Sequence, residues 1–269
     1  MSRVAAVQMN TGADVAANLA LAGELIEKAA GDGCELAVLP ENFALMAARA
    51  RDKLQHGEVP GDGPIQSFLS ETAARLGIWI VGGSIPLLSP DENRVFGACV
   101  TVDSDGRTQA IYRKIHLFDV HLSDSGESYR ESYSMYPGEE LVSVDTPAGR
   151  IGLTICYDLR FPELFRSLVD KGATLFTVPA AFTAVTGMAH WHVLLRARAI
   201  ENLAYVIAPG QTGTHADGRA TYGHSLIVDP WGKVLAEQPE GNGIAVADID
   251  LETVTRLRKE FPALSNRRL

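Results

Sequence analysis

Short apolar runs alternate with amphipathic stretches along most of the chain. Residues 3–9, "RVAAVQM", form an apolar run of strand length, and "DVAANLALAGELIEKAA" at 14–30 places Val15, Leu19, Ala22 and Ile26 at helical spacing. Asp14 stands where a side-chain oxygen caps the first free N–H groups of that helix. After "GDG" comes "ELAVLPE", an all-apolar strand of the kind buried on both faces, which completes a βαβ unit.

The same grammar recurs. A helix is expected at 64–76, a strand at 78–85 ("IWIVGGSI"), and two strands around an Asp-Gly turn in "ACVTVDSDGRTQAIYRK". "LVSVDTPAGRIGLTICYD" reads as a strand pair about a Pro/Gly turn, and Pro162 opens a helix over 162–171. "ATLFTVP", "YVIAPG", "HSLIVDPWGKVLAEQ" and "IAVADID" are further strands, with a helix rich in Leu, Ala and Arg at 188–202. No low-complexity linker, composition break or short-period repeat interrupts the pattern, so a single domain over 1–269 is expected, with a layered α/β fold.

Composition narrows the class of partner. A formal charge of −9 and a pI near 5.3 argue against a nucleic-acid face or a polybasic membrane patch, both of which need clustered Lys and Arg. A small soluble substrate is the expectation that remains. No stretch approaches the roughly 20 apolar residues of a membrane span, and the first residues enter strand-like sequence without the charged and apolar regions of a secretory leader. Three cysteines, Cys34, Cys99 and Cys156, show no CxxC spacing, so neither a disulfide framework nor a cysteine zinc site is indicated. A reducing compartment, the cytoplasm, is the expected address.

Ligands of open α/β sheets meet the protein at the carboxyl ends of strands, which singles out Glu41 after "ELAVLP", Lys114 after "QAIYR" and Cys156 after "RIGLTI". Singly, each has an ordinary reading: an acid in a helix's first turn, a solvated lysine, a small buried hydrophobe. Together they make an acyl-transfer site. A thiol with a pKa near 8.5 needs a base or a positive field. Glu41, its pKa raised by an apolar setting, is a candidate base. Lys114, with the Tyr157 N–H, would hold the oxyanion of a tetrahedral intermediate.

A Cys–His pair is the competing layout, since seven histidines are present and sequence spacing excludes none of them. Metal binding by His190 and His192 is disfavoured, because i and i+2 point to different sides of a helix and no HExxH occurs. "VGGS" lacks the glycine patterns that cradle phosphate, so no nucleotide cofactor is expected.

The blocks "LAVLPENF", "YRKIHLFDV" and "GLTICYDLRFPEL" resemble, in order, the three catalytic blocks of the nitrilase superfamily of carbon–nitrogen hydrolases, its Nit-type amidase branch in particular. "RES" at 130–132, "PAAF" at 179–182, "GMAHWHVLLRARAIEN" at 187–202 and "YGHSLIVDPWGKVLAE" at 222–237 extend the resemblance over nearly the whole chain. It implies a four-layer αββα sandwich, a Glu41–Lys114–Cys156 triad in place of Cys–His, and Glu131 as a second glutamate that orients the lysine. It also implies no cofactor and no metal, and a homodimer packed through "FPELFRSLVDKG" and "HWHVLLRARAIEN".

The loop "GTHADGRATYGHS" is similar to that of the branch acting on deaminated glutathione, while omega-amidases on α-ketoglutaramate are the neighbouring alternative. Nitrilases and N-carbamoyl amide hydrolases would share the triad. Both favoured substrates are small anionic amides, which makes Arg219 a candidate carboxylate partner. Phe182, Thr183, Met188, His190 and Trp191 are candidate pocket walls by motif position. Asp158, Arg160 and Glu163 are expected to form ion pairs that hold the turn behind Cys156.

Overall fold

A computed structural model describes residues 1–122 and 126–268. Eight strands form the first sheet: β1 (Ser2–Gln8), β2 (Leu36–Val38), β3 (Trp79–Val81), β4 (Ile85–Leu88), β5 (Val95–Val102), β6 (Thr108–Arg113), β9 (Met135–Tyr136) and β18 (Gly243–Ile249). Six form the second: β10 (Ser143–Thr146), β11 (Gly149–Leu153), β12 (Leu175–Thr177), β13 (Tyr205–Ala208), β16 (Ser225–Val228) and β17 (Val234–Gln238). β7 (Asp119–Leu122) pairs with β8 (Glu127–Arg130), and β14 (Thr212–Thr214) with β15 (Ala220–Tyr222), as separate ribbons.

Both sheets have a parallel centre: β1, β2 and β3 in the first, β11, β12 and β13 in the second. Parallel neighbours need crossovers, and helices supply them. These are α1 (Val15–Gly31) and α2 (Pro64–Leu76) for the first sheet, α3 (Pro162–Asp170) and α4 (Ala184–Asn202) for the second. Asp14 caps α1 by accepting from the Ala17 N–H at 3.2 Å.

Alternation along β1 sets the layers. Ala5 and Val7 pack in one cluster with Ala22, Ile26, Ile65 and Leu69 of α1 and α2. Val4 and Ala6 point the other way, into a cluster shared with Ile151, Leu153 and Ile207 of the second sheet. On that sheet's far side, Phe165 of α3 meets Phe176 of β12 edge-on at 5.0 Å. A Cβ on Gly152 would lie 2.9 Å from Phe176 and 3.0 Å from Leu168, so the missing side chain lets α3 approach. The order helix, sheet, sheet, helix is the αββα sandwich.

The expected strand over 78–85 is two strands. The chain turns at Gly83 (φ +51°), where a Cβ would sit 2.0 Å from the Pro40 carbonyl oxygen. The glycine therefore seats the end of β3 against the loop that carries Glu41. A last helix, α5 (Leu251–Glu260), was not expected, although Leu251, Val254 and Leu257 recur at helical spacing; of these only Val254 is buried. No helix among the described residues is long and apolar enough to cross a membrane.

Candidate active site

Glu41, Lys114 and Cys156, separated by up to 115 positions in sequence, converge at the strand ends and are all buried. Glu41 follows β2 through Leu39 and Pro40. Its Oε1 accepts from Lys114 Nζ at 2.8 Å, and its Oε2 from the Ala181 N–H at 2.8 Å. Lys114 follows β6, and its ammonium also donates to both carboxylate oxygens of Glu131, at 2.9 and 2.8 Å. Glu131 Oε2 is fixed in turn by the Phe118 N–H at 2.6 Å.

Cys156 begins a short 3-10 turn just beyond β11, at φ +49°, a left-handed conformation that costs a non-glycine residue about 1–3 kcal/mol. Its N–H donates to the Pro179 carbonyl at 2.8 Å, and the turn places the Tyr157 N–H next in line. Asp158, completely buried, braces this turn. It accepts from the Ile155 N–H at 2.8 Å, the Tyr112 hydroxyl at 2.7 Å and the His116 N–H at 3.1 Å, and meets His116 Nδ1 at 2.7 Å. One carboxylate thus ties the cysteine turn to both flanks of Lys114.

Charge placement sets the resting protonation. Burial alone would raise the Glu41 carboxyl, but the Lys114 charge and hydrogen bond outweigh it, and Glu41 lies below the usual carboxylate range. The raised carboxyl expected from its apolar flank does not occur, because the fold brings in the Lys114 ammonium from beyond β6, which sequence neighbours do not reveal. Burial, then the Glu41 charge, pushes the Cys156 thiol well above its ordinary value, with Lys114 opposing. Burial works against the Lys114 ammonium, yet Glu131 and Glu41 raise it well above the ordinary lysine range. The resting site is therefore carboxylate, ammonium and thiol.

A cleft of about 170 Å³ opens onto Cys156, walled by Met46, Phe118, Tyr129, Lys53, Arg130 and Arg219. A smaller recess on Cys156 is lined by Tyr157, Arg160, Phe182 and Thr183. Met188, His190 and Trp191 line neither. Met188 and His190 point outward from α4, while Trp191 is buried behind Phe182, ring centres 4.9 Å apart, with its N–H on the His224 carbonyl. Thr183 doubles as the α4 cap, accepting from the Thr186 N–H.

Two more expectations fail on geometry. Asp158 spends its oxygens on Tyr112, Ile155 and His116, so it does not pair with Arg160. Arg160 instead lies over the Phe182 ring at 5.2 Å and reaches His190 at 3.4 Å, and no ion pair holds Glu163 among the described residues. The Cys–His alternative also lacks a partner, since no histidine lines the cleft or recess among the described residues. His116 is engaged by Asp158 and stacked on Phe161 at 3.6 Å.

Sequence reasoning passed over Lys53, and also Gln211, whose buried amide donates to the Glu41 carbonyl at 3.0 Å and to Thr11 Oγ1 at 2.7 Å. Tyr112, Lys114 and His116 alternate at period two, a same-face signal that could have exposed the Asp158 brace.

A buried cysteine facing a carboxylate and an ammonium, at the edge of an αββα sandwich, marks a hydrolase of carbon–nitrogen bonds. The chain belongs to the carbon–nitrogen hydrolase family, whose model matches residues 3–259, and it has the fold of the nitrilase superfamily. It is 42% identical over 268 residues to the deaminated glutathione amidase of Yersinia enterocolitica, covering 99% of this chain and 93% of that one. The crystal structure of the C. elegans NitFhit protein superposes with a TM-score of 0.92 at 40% identity, over 99% of this chain and 65% of the longer NitFhit chain. Saccharomyces cerevisiae Nit3, a member of branch 10 of the nitrilase superfamily, gives a TM-score of 0.89 at 36% identity, over 100% and 97% of the two chains.

Proposed function

We propose that the chain is an amidase that hydrolyses the α-ketoglutaramyl amide bond of deaminated glutathione through a thioester on Cys156. The observation that carries the chemistry is the buried contact of Glu41 with Lys114 beside the cysteine. Glu41 takes the thiol proton as Sγ attacks the amide carbonyl, and the Lys114 ammonium with the Tyr157 N–H stabilises the oxyanion. Collapse expels the amine, cysteinylglycine, which leaves with the proton from Glu41. Glu41 then deprotonates water against the thioester, releasing α-ketoglutarate and restoring the thiol. Glu131 holds the lysine in place. Every proton in this sequence is carried by the chain's own groups, so no cofactor is needed.

The substrate reading draws on the 42% identity to the Yersinia enterocolitica enzyme over nearly the full length of both chains and on the cationic walls of the cleft. We place the enzyme in the cytoplasm, on its unpaired cysteines, and expect it to act as a homodimer.

The test is steady-state hydrolysis of deaminated glutathione and of α-ketoglutaramate side by side, with Cys156→Ala as the blank. A large kcat/KM preference for the peptide is expected. A preference for α-ketoglutaramate would transfer the assignment to omega-amidase, and activity surviving in Cys156→Ala would remove the thioester.

A further inference from the structure

The charges around the cleft do not cancel locally. Its walls carry Lys53, Lys114, Arg130 and Arg219 against Glu41, Glu131 and Asp217. Lys114 is held by two carboxylates, and Arg219 Nη2 lies 3.5 Å from Asp217. Arg130 is exposed to water. Lys53 differs from all of these. It is half-buried, and among the described residues no carboxylate lies within ion-pair distance of its ammonium.

The recorded partner of Lys53 is the amide oxygen of Asn42, at 3.1 Å. Asn42 directly follows Glu41 and sits at φ +58°, its N–H donating to Ser84 Oγ at 2.9 Å. A left-handed asparagine thus fixes the lysine head on the wall adjoining the reacting carboxylate. Burial holds the Lys53 ammonium below its usual range, and Arg219 and Lys114 add to that against the pull of Glu131 and Glu41. An anion seated between Lys53 and Arg219 would relieve this repulsion. The Arg219 guanidinium, on the same wall, is only loosely held, by Asp217 at 3.5 Å.

We propose that Lys53, with the Arg219 guanidinium beside it on the cleft wall, binds the keto-acid carboxylate on the acyl side of the scissile amide. This rests on the substrate reading above and adds the residue that selects the acyl group. Size favours the acyl side. The cleft's 170 Å³ is below the roughly 300 Å³ at which sites for drug-sized ligands begin, so it suits a short acyl chain, with the amine portion directed outward. A lysine that merely tethered its own turn to Asn42 would be indifferent to substrate charge.

The test compares α-ketoglutaramate with 4-oxopentanamide, in which a methyl group replaces the carboxylate while the leaving group stays ammonia. The wild type is expected to prefer the anion. Lys53→Gln, which can still donate to Asn42, should cut kcat/KM on α-ketoglutaramate roughly 30- to 100-fold, chiefly through KM, and collapse the preference. Lys53→Arg should restore most of it. Equal losses on both amides in Lys53→Gln, or a preference ratio left at the wild-type value, would overturn the role of Lys53 while leaving the amidase reading intact. A wild type that turns over other carboxamides but favours neither keto-acid amide would remove that reading, and this proposal with it.

Discussion

Asp158 accepts the Tyr112 hydroxyl at 2.7 Å, and through that contact the turn carrying Cys156 is bolted to the strand carrying Lys114. The two come from different sheets, β11 and β6, so the bond crosses the sandwich at its functional edge. Tyr112→Phe removes the bond to Asp158 and the long one the hydroxyl accepts from the Ile115 N–H at 3.4 Å, and leaves Asp158 with the Ile155 and His116 N–H groups. A cost of about 0.5–1.5 kcal/mol is expected, with a loss in kcat that exceeds the loss in folded fraction. Asp158→Ala strands the Ile155 and His116 N–H groups, the Tyr112 hydroxyl and His116 Nδ1 and should be far less stable. Denaturant unfolding beside kcat checks both, and a Tyr112→Phe enzyme unchanged in both would remove the brace.

Lys114 and Glu41 should separate stability from turnover. Lys114→Met leaves two carboxylates facing each other in a buried site, and breaking such a pair costs about 3–5 kcal/mol. Glu41→Gln removes one of those charges and keeps Lys114 paired with Glu131, so it should fold nearly as well as wild type while turnover falls by about 10²–10⁴. A Glu41→Gln enzyme at the wild-type rate would end the base assignment. Equal unfolding midpoints for the two variants would contradict the charge balance.

The pH profile follows from the signs. Glu41 has its folded pKa below the ordinary value of about 4.3, so the folded state favours the ionised form. Its stabilisation is present above the unfolded pKa and disappears as pH falls through the folded one. The acid limb of kcat/KM, which reports the free enzyme, should therefore lie below about 4.3. Cys156 stays a thiol at neutral pH and loses its proton to Glu41 during attack, so the rate should not climb through the ordinary thiol range near about 8.5. An acid limb near neutrality would mean a Glu41 carboxyl raised by burial, with the lysine failing to hold it.

Much of this site is legible in the sequence, and the reason is local. Glu41, Lys114 and Cys156 each end an apolar strand run, and the strand-end rule selects them without knowing which strands are neighbours. What stayed hidden depends on tertiary charge. The direction of the Glu41 shift was misread because Lys114 lies 73 positions away. Asp158 was assigned to Arg160, two residues on, when its partners lie 42 and 46 positions back as well as at Ile155. The pocket walls were half legible: Phe182 and Thr183 face the recess, but motif position cannot tell which face of α4 looks outward, and Met188 and His190 fell on the wrong one. Lys53 belongs to a 3-10 turn with no buried residue, so no apolar period pointed to it.

The outer face of α4 bears on assembly. Trp191, Leu195 and Ala199 are buried against the subunit's own sheet, yet Met188, Val193 and Ile200 are 76%, 67% and 45% exposed. Val193 and Ile200 are seven residues apart and share one side of the helix. The apolar surface continues beyond it: Ile200 packs over Gly232, where a Cβ would come within 2.5 Å, and the neighbouring Trp231, 62% exposed, meets Phe261 edge-on at 6.0 Å. Exposed apolar side chains gathered on one side of the molecule, with Arg196 among them, are what a partner surface offers, and a second copy is the occupant the homodimer reading requires. Val193→Glu puts a charge on that surface without touching the core, so it should yield a folded monomer by light scattering, with an unfolding transition that no longer depends on protein concentration. A Val193→Glu protein that remains dimeric would move the interface off this face, and a monomeric wild type would end the homodimer reading altogether.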